Sequence, residues 1–256
     1  MPAPSFFRVR GLCLGQGRPK ICIPLVSEDL PTLLSEARAL TAHPFDLVEW
    51  RADCFAAHRD TPAVLAALQA LREILEEIPL LFTFRTQGEG GKAPLGFEEY
   101  KALNLAVARA GLADLIDLEL FSAPQEEIAA LIGLLHREGA GVVLSSHDFK
   151  GTPPAPEIAR RLTLARRLGA DLPKVAVMPR CGEDVLALLS ATLQANREGA
   201  GPLITMSMGP LGGVSRLCGE VFGSALTFGC AGRASAPGQF PAQELDAALS
   251  MIHRSL

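Results

Sequence analysis

The chain has 256 residues, a formal net charge of −4 and 48% hydrophobic residues, enough for one large α/β domain or two small ones. Mild acidity without runs of Lys or Arg argues against nucleic acid as a partner. No apolar stretch approaches the roughly 18 residues that span a bilayer, and the opening Met-Pro-Ala-Pro-Ser-Phe-Phe-Arg lacks a signal-peptide core, so no membrane partner and a cytoplasmic location are expected.

In chain order, apolar β-type runs alternate with helical patterns. The first 18 residues precede the first strand and are expected to form a small hairpin closing the bottom of the fold. Strands are predicted over 21–26, 46–51, 80–85, 115–120, 141–146, 174–178, 203–208 and 224–228. Helices are predicted over 28–40, 62–77, 97–110, 125–138, 157–169, 182–196, 213–221 and 242–254. Thr61 before Pro62 and Ser122 before Pro124 are start signals; Gly139, Gly169 and Gly201 follow helix ends. Eight β-then-α units in about 250 residues is the arithmetic of a (β/α)8 TIM barrel. A doubly wound sheet is the competing architecture, but no Gly-x-Gly-x-x-Gly follows the first strand. Gly88-Glu-Gly-Gly-Lys92 lacks the phosphate-loop spacing and reads as a flexible loop. With no linker, repeat or low-complexity segment, a single domain is expected. The cysteines (Cys13, Cys22, Cys54, Cys181, Cys218, Cys230) are scattered singly, which fits reduced core thiols and no metal site.

Side chains alternate across a strand with period two, so parity shows which polar groups converge inside a barrel. Leu47, Glu49 and Arg51 share a face, as do Thr83 with Arg85, Asp117 with Glu119, Val143 with Ser145 and His147, and Lys174 with Ala176 and Met178. Their opposite faces are apolar. A purely structural barrel fills its interior with branched apolar side chains, and unpaired buried charge costs several kcal/mol. These inward charges must therefore form a network, and the mouth of a barrel is where such a network binds something.

Only five of the 24 basic side chains are lysines, and Lys174 lies inside the apolar run Pro-Lys-Val-Ala-Val-Met-Pro. Burial disfavours the charged form of an amine, and a neutral amine attacks carbonyl carbon to give a Schiff base. Snorkelling to the rim is the alternative. Placed at the start of its predicted strand, Lys174 would reach the pocket from below, with nearby arginines keeping it neutral by like-charge repulsion. His147 ends a strand in Ser-Ser-His-Asp-Phe, where proton transfer at neutral pH suits an imidazole. Glu89, in the loop after Arg85, either orients that imidazole or is a solvated loop carboxylate. Arg216, near a helix start, suits capture of a carboxylate or phosphate. Residues 234–240 read as a lid or a plain surface loop.

Together these segments resemble the type I 3-dehydroquinate dehydratases: Val-Glu-Trp-Arg-Ala-Asp (48–53), Phe-Thr-Phe-Arg-Thr (82–86), Asp-Leu-Glu-Leu-Phe (117–121), Ser-His-Asp-Phe (146–149), Pro-Lys-Val-Ala-Val-Met-Pro (173–179), Thr-Met-Ser-Met-Gly (205–209), Ser-Arg-Leu-Cys-Gly-Glu-Val-Phe-Gly-Ser (215–224) and Ser-Ala-Pro-Gly-Gln (235–239). The resemblance implies a (β/α)8 barrel, a homodimer, that dehydrates the small-molecule substrate 3-dehydroquinate without metal or organic cofactor. It implies Lys174 as the Schiff-base lysine, His147 as proton shuttle and Glu89 as the carboxylate orienting it. Arg216 would hold the substrate carboxylate, with Glu49, Arg51 and Arg85 on hydroxyls and ring. Met206, Met208, Phe149, Phe228 and Ala236 would line the pocket, and Ser235 and Gln239 would come from the lid. Where the family often carries a serine in the first strand, this chain has Pro24. Two other readings stay open: a Schiff-base aldolase with a phosphate site at 209–213, and a non-catalytic barrel that binds a polyol acid.

Overall fold

The computed structural model describes residues 6–232 and 236–256. A two-stranded antiparallel hairpin, β1 (Phe7–Val9) and β2 (Leu12–Leu14), precedes the rest. Eight parallel strands follow: β3 (Lys20–Leu25), β4 (Leu47–Arg51), β5 (Leu80–Thr83), β6 (Leu115–Glu119), β7 (Gly141–Asp148), β8 (Leu172–Val177), β9 (Ile204–Ser207) and β10 (Leu226–Cys230). They alternate with helices α1 (Leu30–Ala39), α2 (Thr61–Leu75), α3 (Phe97–Ala110), α4 (Gln125–Arg137), α5 (Ala155–Arg167), α6 (Gly182–Arg197), the short α7 (Gly213–Leu217) and α8 (Gly219–Phe222), and α9 (Ala242–His253). A two-residue strand, β11 (Phe240–Pro241), pairs with the end of β10. The barrel closes between β9 and β10 with few bonds: Ala225 N–H donates to Leu203 O at 2.7 Å, and Thr205 N–H to Ser224 Oγ at 3.0 Å.

An aspartate repeats at the base of alternate strands. Asp46, Asp114 and Asp171 each precede a strand and clamp the strand before it at two points. Their carboxylates accept the N–H groups of Ile21, Leu80 and Val142 at 2.7, 2.8 and 2.8 Å, while their own N–H groups donate to the carbonyls of those same residues. Each clamp satisfies strand-end groups that the parallel ladder leaves open.

The inward faces then read in the same order on every strand. At the base, Cys22, Leu47, Leu81, Leu115, Val143, Leu172, Ile204 and Leu226 form one buried apolar cluster with Val9 and Leu14 of the hairpin. Leu14 is fully buried, and Phe7 packs so closely on Gly141 that a Cβ there would lie 2.6 Å from its ring. The expected bottom closure is thus a hydrophobic plug. Two residues further along each strand the series becomes Pro24, Glu49, Thr83, Asp117, Ser145, Lys174, Met206 and Phe228. The outward faces are apolar and pack under the helices, as around Trp50, Phe82, Ile116 and Leu144.

Several boundaries move from their sequence expectation. β8 starts at Leu172, because Pro173 occupies a strand position, so Lys174 is mid-strand and not at its start. The helix predicted over 213–221 breaks at Cys218 into two short pieces. Asp60, not Thr61, caps α2, and Gly199 rather than Gly201 carries the left-handed turn after α6.

Candidate active site

The C-terminal ends of the strands surround a cavity of about 420 Å³. Its wall contains Glu49, Arg51, Arg85, Glu89, His147, Phe149, Lys174, Met206, Met208, Arg216, Phe228, Ala236 and Gln239, all singled out from the sequence. Ser235 lies outside the described residues. Val26, Glu28, Cys54, Gly90 and Lys92, which the sequence reading did not place in the site, also line the cavity, as do Ala176, read as inward-facing, and Pro237, within the segment read as a lid or plain surface loop. Pro24, in register with Glu49, is buried and not part of the wall.

Lys174 is set by register: on β8 it pairs with Ser145 of β7 and Ile204 of β9, one inward step below the His147, Ala176 and Met206 row. Its side chain is 4% exposed. The amine donates to Asp117 Oδ2 at 3.0 Å, lies 3.9 Å from Glu49 Oε1, and sits 4.8 Å from the centre of the Phe228 ring. The nearest charges are therefore carboxylates, where the sequence reading had looked to nearby arginines to keep this amine neutral. Arg85 and Lys174 share the Asp117 carboxylate, one on each oxygen.

Asp117, fully buried, is the hub. Its Oδ1 accepts from Arg85 Nη2 at 2.7 Å and from Ser145 Oγ at 2.6 Å. Burial alone would raise its pKa, but the Arg85 and Lys174 charges prevail and hold it below the usual carboxylate range. Arg85 reaches Glu119 at 3.1 Å and Glu89 at 3.4 Å through Nη1, and these carboxylates, with Asp117, raise its pKa against the opposing effect of burial. Glu49 accepts from Thr83 Oγ1 at 2.8 Å. Arg51 is clamped by both oxygens of Asp53, at 2.7 and 2.8 Å, and Asp53 also accepts the backbone N–H of Arg85 and of Lys92. Asp53 so ties β4 to the loop after β5. Asp117, Asp53, Thr83 and Ser145 were absent from the sequence-derived site, although parity pointed Thr83, Asp117 and Ser145 inward.

The loop after β5 carries Glu89 back over the barrel. It needs glycine twice: a Cβ on Gly91 would lie 1.8 Å from the Arg85 carbonyl, and Gly90, at φ +85°, would drive one into the Phe149 ring at 2.3 Å. Glu89 Oε2 accepts the His147 backbone N–H at 3.0 Å and lies 2.9 Å from His147 Nδ1. With Oε2 as acceptor for the ring as it is for the backbone N–H, Nδ1 carries the hydrogen and Nε2 the lone pair. Burial, then the charges of Arg85, Lys174 and Arg51, depress the His147 pKa well below its ordinary value, and the imidazole is neutral. Burial pushes the Glu89 carboxyl up to about 8, against the pull of Arg85.

Arg216 stands apart. It is 1% exposed, and no salt bridge to it is formed among the described residues. Nη2 donates to the Pro237 carbonyl at 3.1 Å, Nη1 lies 3.8 Å from Met206 Sδ, and Nε has no partner among the described residues. Burial alone lowers its pKa to about 10. It sits in the last turn of α7, not at a helix start. The segment after β10 docks beside it: Gly209 N–H donates to the Pro237 carbonyl at 3.1 Å, and Gly238 lies against the Gly209 backbone. A buried guanidinium with an unmet donor is poised for an anion.

The cavity thus combines a buried amine, a neutral imidazole and, among the described residues, a cation with no carboxylate partner. Among the described residues no cluster of three His, Cys, Asp or Glu side chains is arranged to hold a metal, and no helix is long and apolar enough to cross a membrane.

Residues 21–255 match the family model of type I 3-dehydroquinase. The chain is 50% identical over 250 residues to 3-dehydroquinate dehydratase of Bacillus licheniformis, covering 97% of this chain and 98% of that one. It is 47% identical to the Salmonella agona protein of the same name, covering 96% and 98%. Among solved structures, type I 3-dehydroquinate dehydratase of Clostridium difficile, crystallised with covalently modified comenic acid, superposes with a TM-score of 0.95 at 42% identity, over 99% of this chain and 100% of that one. The Geobacillus kaustophilus 3-dehydroquinate dehydratase gives 0.94 at 44%, over 98% and 97%. The carboxyl transferase domain of Rhizobium etli pyruvate carboxylase, at 13% identity and TM-score 0.69, shares the fold alone.

Proposed function

The chain belongs to the type I 3-dehydroquinase family, and on that premise we propose that it dehydrates 3-dehydroquinate to 3-dehydroshikimate through an imine on Lys174. The observation that carries this reading is the buried Lys174 amine, opening on the same cavity as neutral His147 and unpaired Arg216. Each matches a feature of the substrate: a ketone, an acidic C–H beside it with a hydroxyl one carbon further on, and a carboxylate.

The Arg216 guanidinium binds the carboxylate and fixes the ring, so that the ketone carbon faces Nζ. The amine first gives up a proton to a neighbouring base; the carboxylates at 3.0 and 3.9 Å are its immediate neighbours. Attack forms a carbinolamine, and loss of the ketone oxygen as water leaves a protonated imine. His147 Nε2 then removes the proton from the adjacent carbon, and the C–H electron pair moves into the C–N system to give an enamine. The imidazolium returns that proton to the β-hydroxyl as the C–O bond breaks, and water departs. Water finally hydrolyses the conjugated imine, freeing product and amine. The low basicity of His147 makes its imidazolium a capable acid in the elimination.

Glu49, Arg51 and Arg85 contact hydroxyls and ring, with Met206, Met208, Phe149 and Phe228 as apolar walls. Glu89 keeps the His147 tautomer, and Ala236, Pro237 and Gln239 complete the wall beside the bound ring. On family grounds the enzyme works as a cytoplasmic homodimer in the shikimate pathway, without cofactor. Appearance of the conjugated product from 3-dehydroquinate, undiminished by EDTA, is the expected assay result. Turnover of a sugar phosphate with none of dehydroquinate would instead favour the aldolase reading. His147→Ala should slow turnover by roughly 10²-fold or more while leaving imine formation measurable; wild-type turnover would remove His147 from the scheme.

A further inference from the structure

We infer that Asp117 is the standing counter-ion of the Schiff-base nitrogen, keeping the imine protonated while the adjacent C–H and C–O bonds break. The inference rests on the Lys174 imine proposed above. Asp117 Oδ2 lies 3.0 Å from Nζ, the atom that becomes the imine nitrogen. Its other oxygen is fixed by Arg85 at 2.7 Å and Ser145 at 2.6 Å, and the Asp117 side chain has no exposure to solvent. This carboxylate cannot turn away, nor does it need to. Ammonium and iminium carry the same single positive charge at the same place, so the carboxylate that pairs the resting amine pairs the intermediate without reorganisation. Only the protonated imine withdraws electrons strongly enough to acidify the neighbouring C–H.

The charged groups facing this pair come from the β4 to β7 side of the barrel. Glu49 on β4 lies 3.9 Å from Nζ, Arg85 follows β5, and Glu119 on β6 pairs with Arg85. His147 on β7 is neutral and leans on Glu89, and the β10 side offers the Phe228 ring. Arg85 draws on Asp117, Glu119 and Glu89 together, so it does not monopolise Asp117.

The test uses two hydride reagents on intact enzyme turning over 3-dehydroquinate. Cyanoborohydride reduces protonated imines selectively; borohydride reduces both protonation states. Adduct is read by protein mass from about pH 6 to about pH 10, a range that brackets the ordinary titration of amines and imidazoles. In the wild type, trapping by cyanoborohydride should persist to higher pH than it does for an imine of the same ketone with a simple amine in water. With Asp117→Asn, the pH at which such trapping falls to half should drop by about 1–3 units, and the basic limb of kcat should drop with it. Asp117→Glu, which keeps the charge, should restore both limbs in part. A wild-type limb coinciding with the free imine, or a limb that Asp117→Asn leaves unmoved in a folded protein, overturns the inference. Absence of adduct with either reagent in the wild type would instead overturn the Schiff-base reading. If Asp117→Asn does not fold, the wild-type comparison with the free imine decides the matter alone.

Discussion

The two ends of the barrel are built from the same eight strands and the same inward parity, yet they hold opposite chemistry. At the base, Leu47, Leu81, Leu115, Val143, Leu172, Ile204 and Leu226 meet Leu14 of the hairpin in an apolar plug. Two residues further along, Glu49, Asp117, Ser145 and Lys174 meet in a buried ionic network. The plug gains stability in proportion to the apolar area that it removes from water. The network gains little net stability, since desolvation offsets most of its attraction. What it supplies is a set of charges held in fixed positions. The division of labour teaches that substitutions at the base should change stability, and those at the mouth should change turnover.

Four substitutions test that division, beginning with the largest effect. Lys174→Ala should lower kcat by roughly 10⁴-fold or more, while circular dichroism and thermal melting show a folded chain, because Asp117 retains Arg85 and Ser145. Leu81→Ala, at the centre of the plug, should cost about 2–5 kcal/mol in denaturant unfolding and leave kcat per folded molecule within about twofold. A comparable loss of kcat would erase the distinction between the two ends.

Arg216→Met sharpens it further. Burial of an unpaired cation lowers the Arg216 pKa to about 10, so the charged side chain is a burden on the fold. The variant should unfold later, by roughly 1–3 kcal/mol, and yet bind substrate worse, with KM up at least about 30-fold. Steady-state kinetics beside a melting curve would show gain and loss in one protein.

The smallest effect concerns pH. Glu89 holds its proton up to about pH 8 in the fold, against a usual 4.5. A carboxyl whose folded pKa is raised binds more protons folded than unfolded. Its contribution is therefore full below about pH 4.5 and is lost as pH rises toward 8. Glu89→Gln should flatten the fall in melting temperature over that interval; an unchanged slope would assign the fall to other groups.

Much of this was legible in the sequence, for reasons that differ by residue. Period-two alternation placed Glu49, Arg85, Asp117, Ser145 and His147 on the inward face, because parity is a local property of a strand. Glu89 and His147 are 58 residues apart, and their hydrogen bond depends on how Gly90 and Gly91 fold one loop, so spacing left Glu89 undecided. The partner of Lys174 was not legible either. Which carboxylate meets Nζ is set by the relative register of β6, β7 and β8, a tertiary quantity. Arginines are prominent in the sequence of this site, but Arg51 and Arg85 are each tied to an aspartate, and Asp117 is the group in contact with the amine. The start of β8 moved for a plainer reason: Pro173 reads as a boundary in the sequence, but the strand accommodates it.

Hydride trapping tests the proposed covalent intermediate on Lys174 most directly. Intact enzyme incubated with 3-dehydroquinate, reduced with borohydride, digested and mapped by mass should carry the reduced substrate on the peptide containing Lys174, with activity lost in proportion. An enzyme that turns over 3-dehydroquinate yet yields no adduct, or one on another residue, would contradict the account.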